Sequence, residues 1–167
     1  MKKYRKYIVL AISLVFVIGL DLFTKVIFEG KNFSIIKGFI GILSCHNEGA
    51  AFSMLSGKQT FLIVVTSILL LGMVAVYYFS NPKNILLELS LSFIIGGAIG
   101  NLIDRIAFGY VRDFIHLEFV NFAIFNIADS FLTIGMIGLC VYVLFMDDEF
   151  LNFKKQDKTN EKAKKED

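Results

Sequence analysis

TFLIVVTSILLLGMVAVYYF, residues 60–79, is twenty residues without a single Asp, Glu, Lys or Arg. A helix needs about 20 mainly apolar residues to cross roughly 30 Å of hydrocarbon, so this stretch reads as a transmembrane helix. Residues 7–28, 85–103 and 127–145 have the same character. The first of these is apolar to Leu20 and is then interrupted by Asp21, Thr24 and Lys25, and the 85–103 segment carries Glu88 near its start. Composition agrees. The 167 residues are 56% hydrophobic and 19% charged, whereas a soluble domain is less apolar and carries about 25% charged residues.

Net charge is only +2, but its distribution is informative. Lys2, Lys3, Arg5 and Lys6 crowd the start, and Lys154, Lys155, Lys158, Lys162, Lys164 and Lys165 crowd the end. Each cluster abuts an apolar segment, so membrane orientation explains them better than nucleic-acid binding, and no nucleic-acid partner is expected. Four spans put both termini on one side, which their basic residues mark as cytoplasmic. MKKYRK before an apolar run also resembles a secretory signal peptide, but no small-x-small cleavage site follows Leu20, which favours an uncleaved anchor. Ser80, Asn81, Pro82, Lys83 and Asn84 form a short cytoplasmic connection. The expected organisation is one membrane domain over residues 1–148, with a charged cytoplasmic tail over 149–167. It is mainly α, a four-transmembrane-helix bundle with a small extracytoplasmic region at residues 30–46. There, Ile, Phe and Gly predominate between residues 33 and 46. Short twisted strands and a loop packed over the bundle fit that pattern equally.

With this topology, residues 29–59 and 104–126 fall outside. Asp21, Asn47, Asn101, Asp104, Arg105, Asp113, Asn126 and Asp129 then gather at the outer ends of the helices. Asp113 and Asp129 flank a short linker. Acids in or beside a bilayer are costly and are functional hypotheses by default. Two neighbouring carboxylates cannot both ionise cheaply, so they can share a proton. One then activates water while the other protonates a carbonyl. That chemistry hydrolyses a peptide bond without a metal or a covalent intermediate. Asp129 also fits a plain helix-start residue, and Asp113 an ordinary loop acid.

Asp21 and Lys25 share a helical face and read as a structural ion pair with Lys25 snorkelling outward. Asn47, Asn101 and Asn126 each donate and accept, and can orient carboxylates or grip a backbone. Arg105 offers a fork for a carbonyl, carboxylate or phosphate, or else sits on the rim against headgroups. Gly96, Gly97 and Gly100 give the third helix a small packing face. Cys45 and Cys140 read as plain small residues, with no disulfide expected. No H-E-x-x-H or G-x-S-x-G motif occurs, His46 and His116 lack a partner set for a metal, and Ser56 with Lys58 has only proximity in its favour.

The chain resembles the bacterial lipoprotein signal peptidases, signal peptidase II. Five motifs carry the resemblance, in the family's order: Asp21-Leu22-Phe23-Thr24-Lys25, Asn47-Glu48-Gly49-Ala50-Ala51-Phe52, Gly100-Asn101-Leu102-Ile103-Asp104-Arg105, Val111-Arg112-Asp113-Phe114 and Phe125-Asn126-Ile127-Ala128-Asp129-Ser130. Leu22 stands where the family often has Gln. The resemblance implies an aspartic endopeptidase of the plasma membrane that needs no cofactor. It would cut prolipoprotein signal peptides before a diacylglyceryl-modified cysteine. It implies Asp113 and Asp129 as catalytic, with Asn47, Asn101, Arg105 and Asn126 lining the site and Asp21 with Lys25 supporting it. It also implies an outer β-cradle at residues 33–46, membrane lipid as surroundings, a monomer, and inhibition by the cyclic peptide globomycin. Two other classes remain on the residues alone. A small transporter or proton-pathway subunit would place acids near mid-span. A non-catalytic lipoprotein-binding protein would need the groove but no paired acids.

Overall fold

The computed structural model describes residues 4–49, 54–80, 82 and 84–146. Ala50, Ala51 and Phe52, Lys2 and Lys3, and the expected tail with its lysines lie outside the described residues, as do Asn81 and Lys83 of the expected turn. The element order is α1 (Arg5–Phe28), β1 (Asn32–Ile36), β2 (Ile40–Asn47), α2 (Gln59–Ser80), α3 (Ile85–Phe108), β3 (Val111–Leu117) and α4 (Ile127–Phe145). All four helices are long and apolar enough to cross a membrane. Three match the expected spans closely. The third runs five residues beyond the expected end, so Asp104 and Arg105 are helical rather than part of a loop. The helix continues through its polar turn because those side chains find partners, as the site shows.

α3 is the central helix and packs against α1, α2 and α4. Its buried residues, from Glu88 to Asp104, go round much of its circumference. α1 buries only Ser13, Val17, Asp21 and Lys25, one line at four-residue spacing. Large apolar residues such as Val15, Leu71, Phe79 and Ile137 stay exposed, as suits helices solvated by hydrocarbon. Tyr77, Leu91 and Ile95 form the apolar core. At that end of the bundle Arg5 pairs with the buried Glu88 at 2.6 Å, and the Tyr77 hydroxyl donates to the Lys6 carbonyl.

With little hydrophobic force between helices in lipid, close backbone approach has to hold them. Small residues on α3 provide it. A Cβ on Gly97 would lie 2.5 Å from the Ala128 carbonyl of α4, and one on Gly100 would lie 2.6 Å from Asp21 Oδ2 of α1. α3 ends at Gly109, whose φ of 79° is a left-handed cap open to glycine at little cost. The chain reverses there directly into β3.

The strands form one antiparallel sheet in the order β1-β2-β3. The expected outer β region is therefore strand, not loop. The third strand, β3, is not expected from the sequence, and it takes Asp113 out of the linker. β3 pairs with β2 through Cys45–Asp113, His46–Arg112 and Asn47–Val111. Phe125 then closes on Ile115 by a further antiparallel bridge, which delivers the chain to the start of α4.

Replacing Gly97 by Ala should destabilise the protein by about 1–3 kcal/mol, because the opposing atom is a backbone carbonyl that cannot swing aside. Thermal unfolding in detergent measures this, and an unchanged midpoint would contradict the packing account.

Candidate active site

Asp113 from β3 and Asp129 from the first turn of α4 meet at the sheet end of the bundle. Asn126 holds them both. It is fully buried and caps α4, its Oδ1 accepting from the Asp129 N–H at 2.9 Å while the Asn126 N–H donates to Asp129 Oδ2 at 3.2 Å. This reciprocal capping box leaves the side-chain amide two hydrogens. One goes to Asp113 Oδ1 at 2.7 Å and the other to Asn101 Oδ1 at 3.0 Å. The Asn126 orientation is settled by this pattern, since a flipped amide would set its NH₂ against the Asp129 N–H.

The remaining carboxylate oxygens are also taken by amides. Asn47 Nδ2 donates to Asp113 Oδ2 at 2.9 Å, and Asn101 Nδ2 donates to Asp129 Oδ1 at 2.7 Å. No carboxyl–carboxyl hydrogen bond forms among the described residues; amides stand between the acids. Burial pushes the Asp113 carboxyl up to about 6, with the Asp129 charge adding to it and the Asn47 and Asn126 hydrogen bonds opposing. A cavity of about 390 Å³ opens beside Asp113, walled by Cys45, Asn47 and residues 121–124. Burial also pushes the Cys45 thiol up, with the Asp113 charge contributing.

Behind the acids lies a buried charge cluster. Lys25 is fully buried, so it does not snorkel as expected. Its ammonium lies 2.8 Å from Asp21 Oδ2, 3.3 Å from Asp104 Oδ2 and 3.2 Å from Asn101 Oδ1. Two acids and an amide give it more than the membrane surface could. Asp21 Oδ1 in turn accepts from the Ala128 N–H at 2.9 Å, tying α1 to the start of α4. Arg105 is not on the rim. It is half-buried and donates through Nη2 to the Gly49 carbonyl at 3.0 Å, while its Nε has no partner among the described residues.

The eight residues that the resemblance implies for the site thus lie together: Asp21, Lys25, Asn47, Asn101, Arg105, Asp113, Asn126 and Asp129, with Asp104 beside Lys25. The sequence reading gave no role to the Asp104–Arg112 pair or to Glu29 with His46, which stacks on Tyr110. Opposite charges on either side of the Gly109 turn were the available sign of the first pair.

A family model described as Signal peptidase (SPase) II matches residues 13–145. The chain belongs to the signal peptidase II family. As a signal peptidase II it is an aspartic-type peptidase, a hydrolase, and with four membrane-spanning helices a multi-pass bacterial membrane protein. It is similar to the lipoprotein signal peptidase of Streptococcus pyogenes serotype M5, 42% identical over 147 residues that cover 84% of this chain and 95% of the relative. The serotype M3 protein of the same name is 41% identical over the same shares. Among solved structures, a bacterial membrane enzyme determined by the in meso method at 2.3 Å resolution matches with a TM-score of 0.77 and 39% identity, covering 81% of this chain and 87% of that one. A second, at 1.9 Å resolution, gives 0.75 and 38%, covering 83% and 94%.

Lys25→Met should cost about 3–5 kcal/mol, since it leaves the buried Asp21 carboxylate without its cation; denaturant unfolding in detergent reads this directly. For Asp113, a folded value near 6 against 3.8 unfolded means that the native state holds the proton longer. Its contribution is full below about pH 4 and is lost as pH rises through 6, by up to roughly 3 kcal/mol. Asp113→Asn should flatten the stability profile in that window, and an unaltered slope would refute the assignment.

Proposed function

We propose that this signal peptidase II is an intramembrane aspartic endopeptidase that cleaves prolipoproteins just before the diacylglyceryl-modified cysteine, with Asp113 and Asp129 as its catalytic pair. The observation that carries this reading is Asn126 holding both carboxylates at one end of four membrane-length helices. Burial pushes the Asp113 carboxyl up to about 6, so the two acids can hold one proton between them while the ionised member acts as the base. The titration belongs to the pair as a whole.

A scissile carbonyl enters beside Asp113, from the cavity walled by Cys45, Asn47 and residues 121–124. Water beside the pair loses a proton to the ionised carboxylate and attacks the carbonyl carbon. The protonated acid hydrogen-bonds the carbonyl oxygen as negative charge develops there. Collapse of the tetrahedral intermediate breaks the C–N bond, and the proton taken from water passes from the carboxyl to the leaving amine. Asn47, Asn101 and Asn126 hold the carboxylates at fixed angles, so little reorganisation accompanies the reaction. Arg105, held to the Gly49 carbonyl, offers its guanidinium to a substrate carbonyl. Asp21 and Lys25 support Asn101 and the start of α4 from behind.

The substrate's acyl chains and apolar signal helix stay in lipid, which supplies orientation to the cut. The basic ends place both termini in the cytoplasm and the acids near the outer face of the plasma membrane, with the three-stranded sheet as the extracytoplasmic cradle. The working unit is a monomer of one membrane domain, residues 1–148, followed by the charged tail. Globomycin, a cyclic peptide, would compete for the same acids.

Asp113→Asn and Asp129→Asn, reconstituted in lipid with a diacylglyceryl-modified prolipoprotein, should each lower cleavage by roughly 10²–10⁴-fold or more. Both variants should remain folded at neutral pH, each with one cooperative thermal transition. Normal processing by either variant would sink the proposal.

A further inference from the structure

Beyond the two acids and their amides, one cation lies next to the pair along the chain and has no part in the mechanism above. Arg112 adjoins Asp113 on β3. Its Nη2 lies 2.7 Å from Asp104 Oδ1, while its Nε and its backbone N–H reach Oδ2 at 3.2 and 3.0 Å. The guanidinium also covers the Phe108 ring, 4.6 Å from its centroid, and Glu29 Oε2 flanks it at 3.8 Å. Main chain and side chain of one residue thus grip a single carboxylate, which fixes the start of β3 against the last turns of α3. The hydrogen bonds to Asp104 hold the Arg112 guanidinium above its ordinary value, so its charge is permanent.

Charge balance makes the grip consequential. Asp21, Lys25 and Asp104 are fully buried, two acids and one base, and Arg112 is the second cation of the cluster, with a side chain only 13% exposed. Lys25 serves Asp21, Asp104 and the Asn101 carbonyl together, and Asn101 passes that restraint to Asp129. Without Arg112, Asp104 has Lys25 as its one close cation, and the ammonium is drawn from Asn101. Arg112 therefore bears on Asp113 through the chain and on Asp129 through Asp104, Lys25 and Asn101.

We infer that Arg112 is a positioning residue for the hydrolytic pair, neutralising Asp104 so that Lys25 can hold Asn101 and thereby aligning Asp113 and Asp129 together. The inference rests on the reading of those two acids as the catalytic pair.

The test uses the full chain in lipid, with a diacylglyceryl-modified prolipoprotein as substrate. Arg112→Gln should lower kcat by up to about 10²-fold with KM little changed, because Arg112 is not among the residues that wall the cavity beside Asp113. The groups that bear on Asp113 are Asp129 from α4, Lys25 from α1, Arg105 from α3 and Cys45 from β2. Arg112→Gln leaves all four in place and leaves the Asp104 charge without its closest cation, so both limbs of the pH–rate profile should move to higher pH. Arg112→Lys restores charge without the fork and should return the limbs to their places while recovering only part of kcat. The Arg112→Gln, Asp104→Asn double variant should fall well short of the product of the two single losses. If Arg112→Gln does not fold, Arg112→Lys against the parent carries the test by its kcat deficit. Parent kcat and pH limbs in Arg112→Gln, full recovery of kcat in Arg112→Lys, or multiplicative losses in the double variant would each overturn the inference. Loss of activity in Asp113→Asn alongside a fully active Arg112→Gln would leave the catalytic reading standing and remove this one alone.

Discussion

A carboxylate near hydrocarbon must find donors or surrender its charge. At the sheet end of this bundle that demand falls mainly on one residue, Asn126. Its backbone N–H, its Oδ1 and both its Nδ2 hydrogens are engaged, with Asp129, Asp113 and Asn101. No other side chain can stand in. Asp at that position would set a third acid between two others, and Gln would move the amide one carbon away from the capping geometry. The arrangement also explains how one acid, Asp129, can serve a helix start and a side-chain network together. The capping box occupies one Asp129 oxygen with a backbone donor and leaves the other to Asn101.

A second tier supports the first. The cluster of Asp21, Lys25, Asp104 and Arg112 is neutral, and every pair in it crosses between elements except Asp21–Lys25. Buried ion pairs contribute little net stability, but removing one partner is costly. Their use here is registration: α1, α3, β3 and the start of α4 are fixed relative to one another by contacts that tolerate no sliding. Glycines on α3 allow the backbones to come close enough for these short side chains to reach.

The four helices were legible because a twenty-residue apolar run has few other readings. The convergence of the eight polar residues followed from counting spans. Other features were not legible, for physical reasons. The polar turn at Asn101, Asp104 and Arg105 reads as a helix end unless one knows that each side chain is partnered across the bundle. Snorkelling is the default for a lysine near a helix terminus, and only the arrival of Asp104 from another helix makes burial of Lys25 the better state. β3 lacks clean alternation, since Val111, Asp113 and Phe114 are all buried. Its partner strand lies far back in the chain, beyond the reach of local pattern.

The Asp21–Ala128 hydrogen bond joins the first membrane helix to the last, and β3 lies between them in the chain while pairing with β2. No contiguous piece of the polypeptide contains the whole arrangement. As the protein emerges from the ribosome and enters the bilayer helix by helix, the two acids lack their common amide until the fourth helix has begun. The polar cluster is thus incomplete throughout insertion, and it closes in one step when the N-terminal turn of α4 docks.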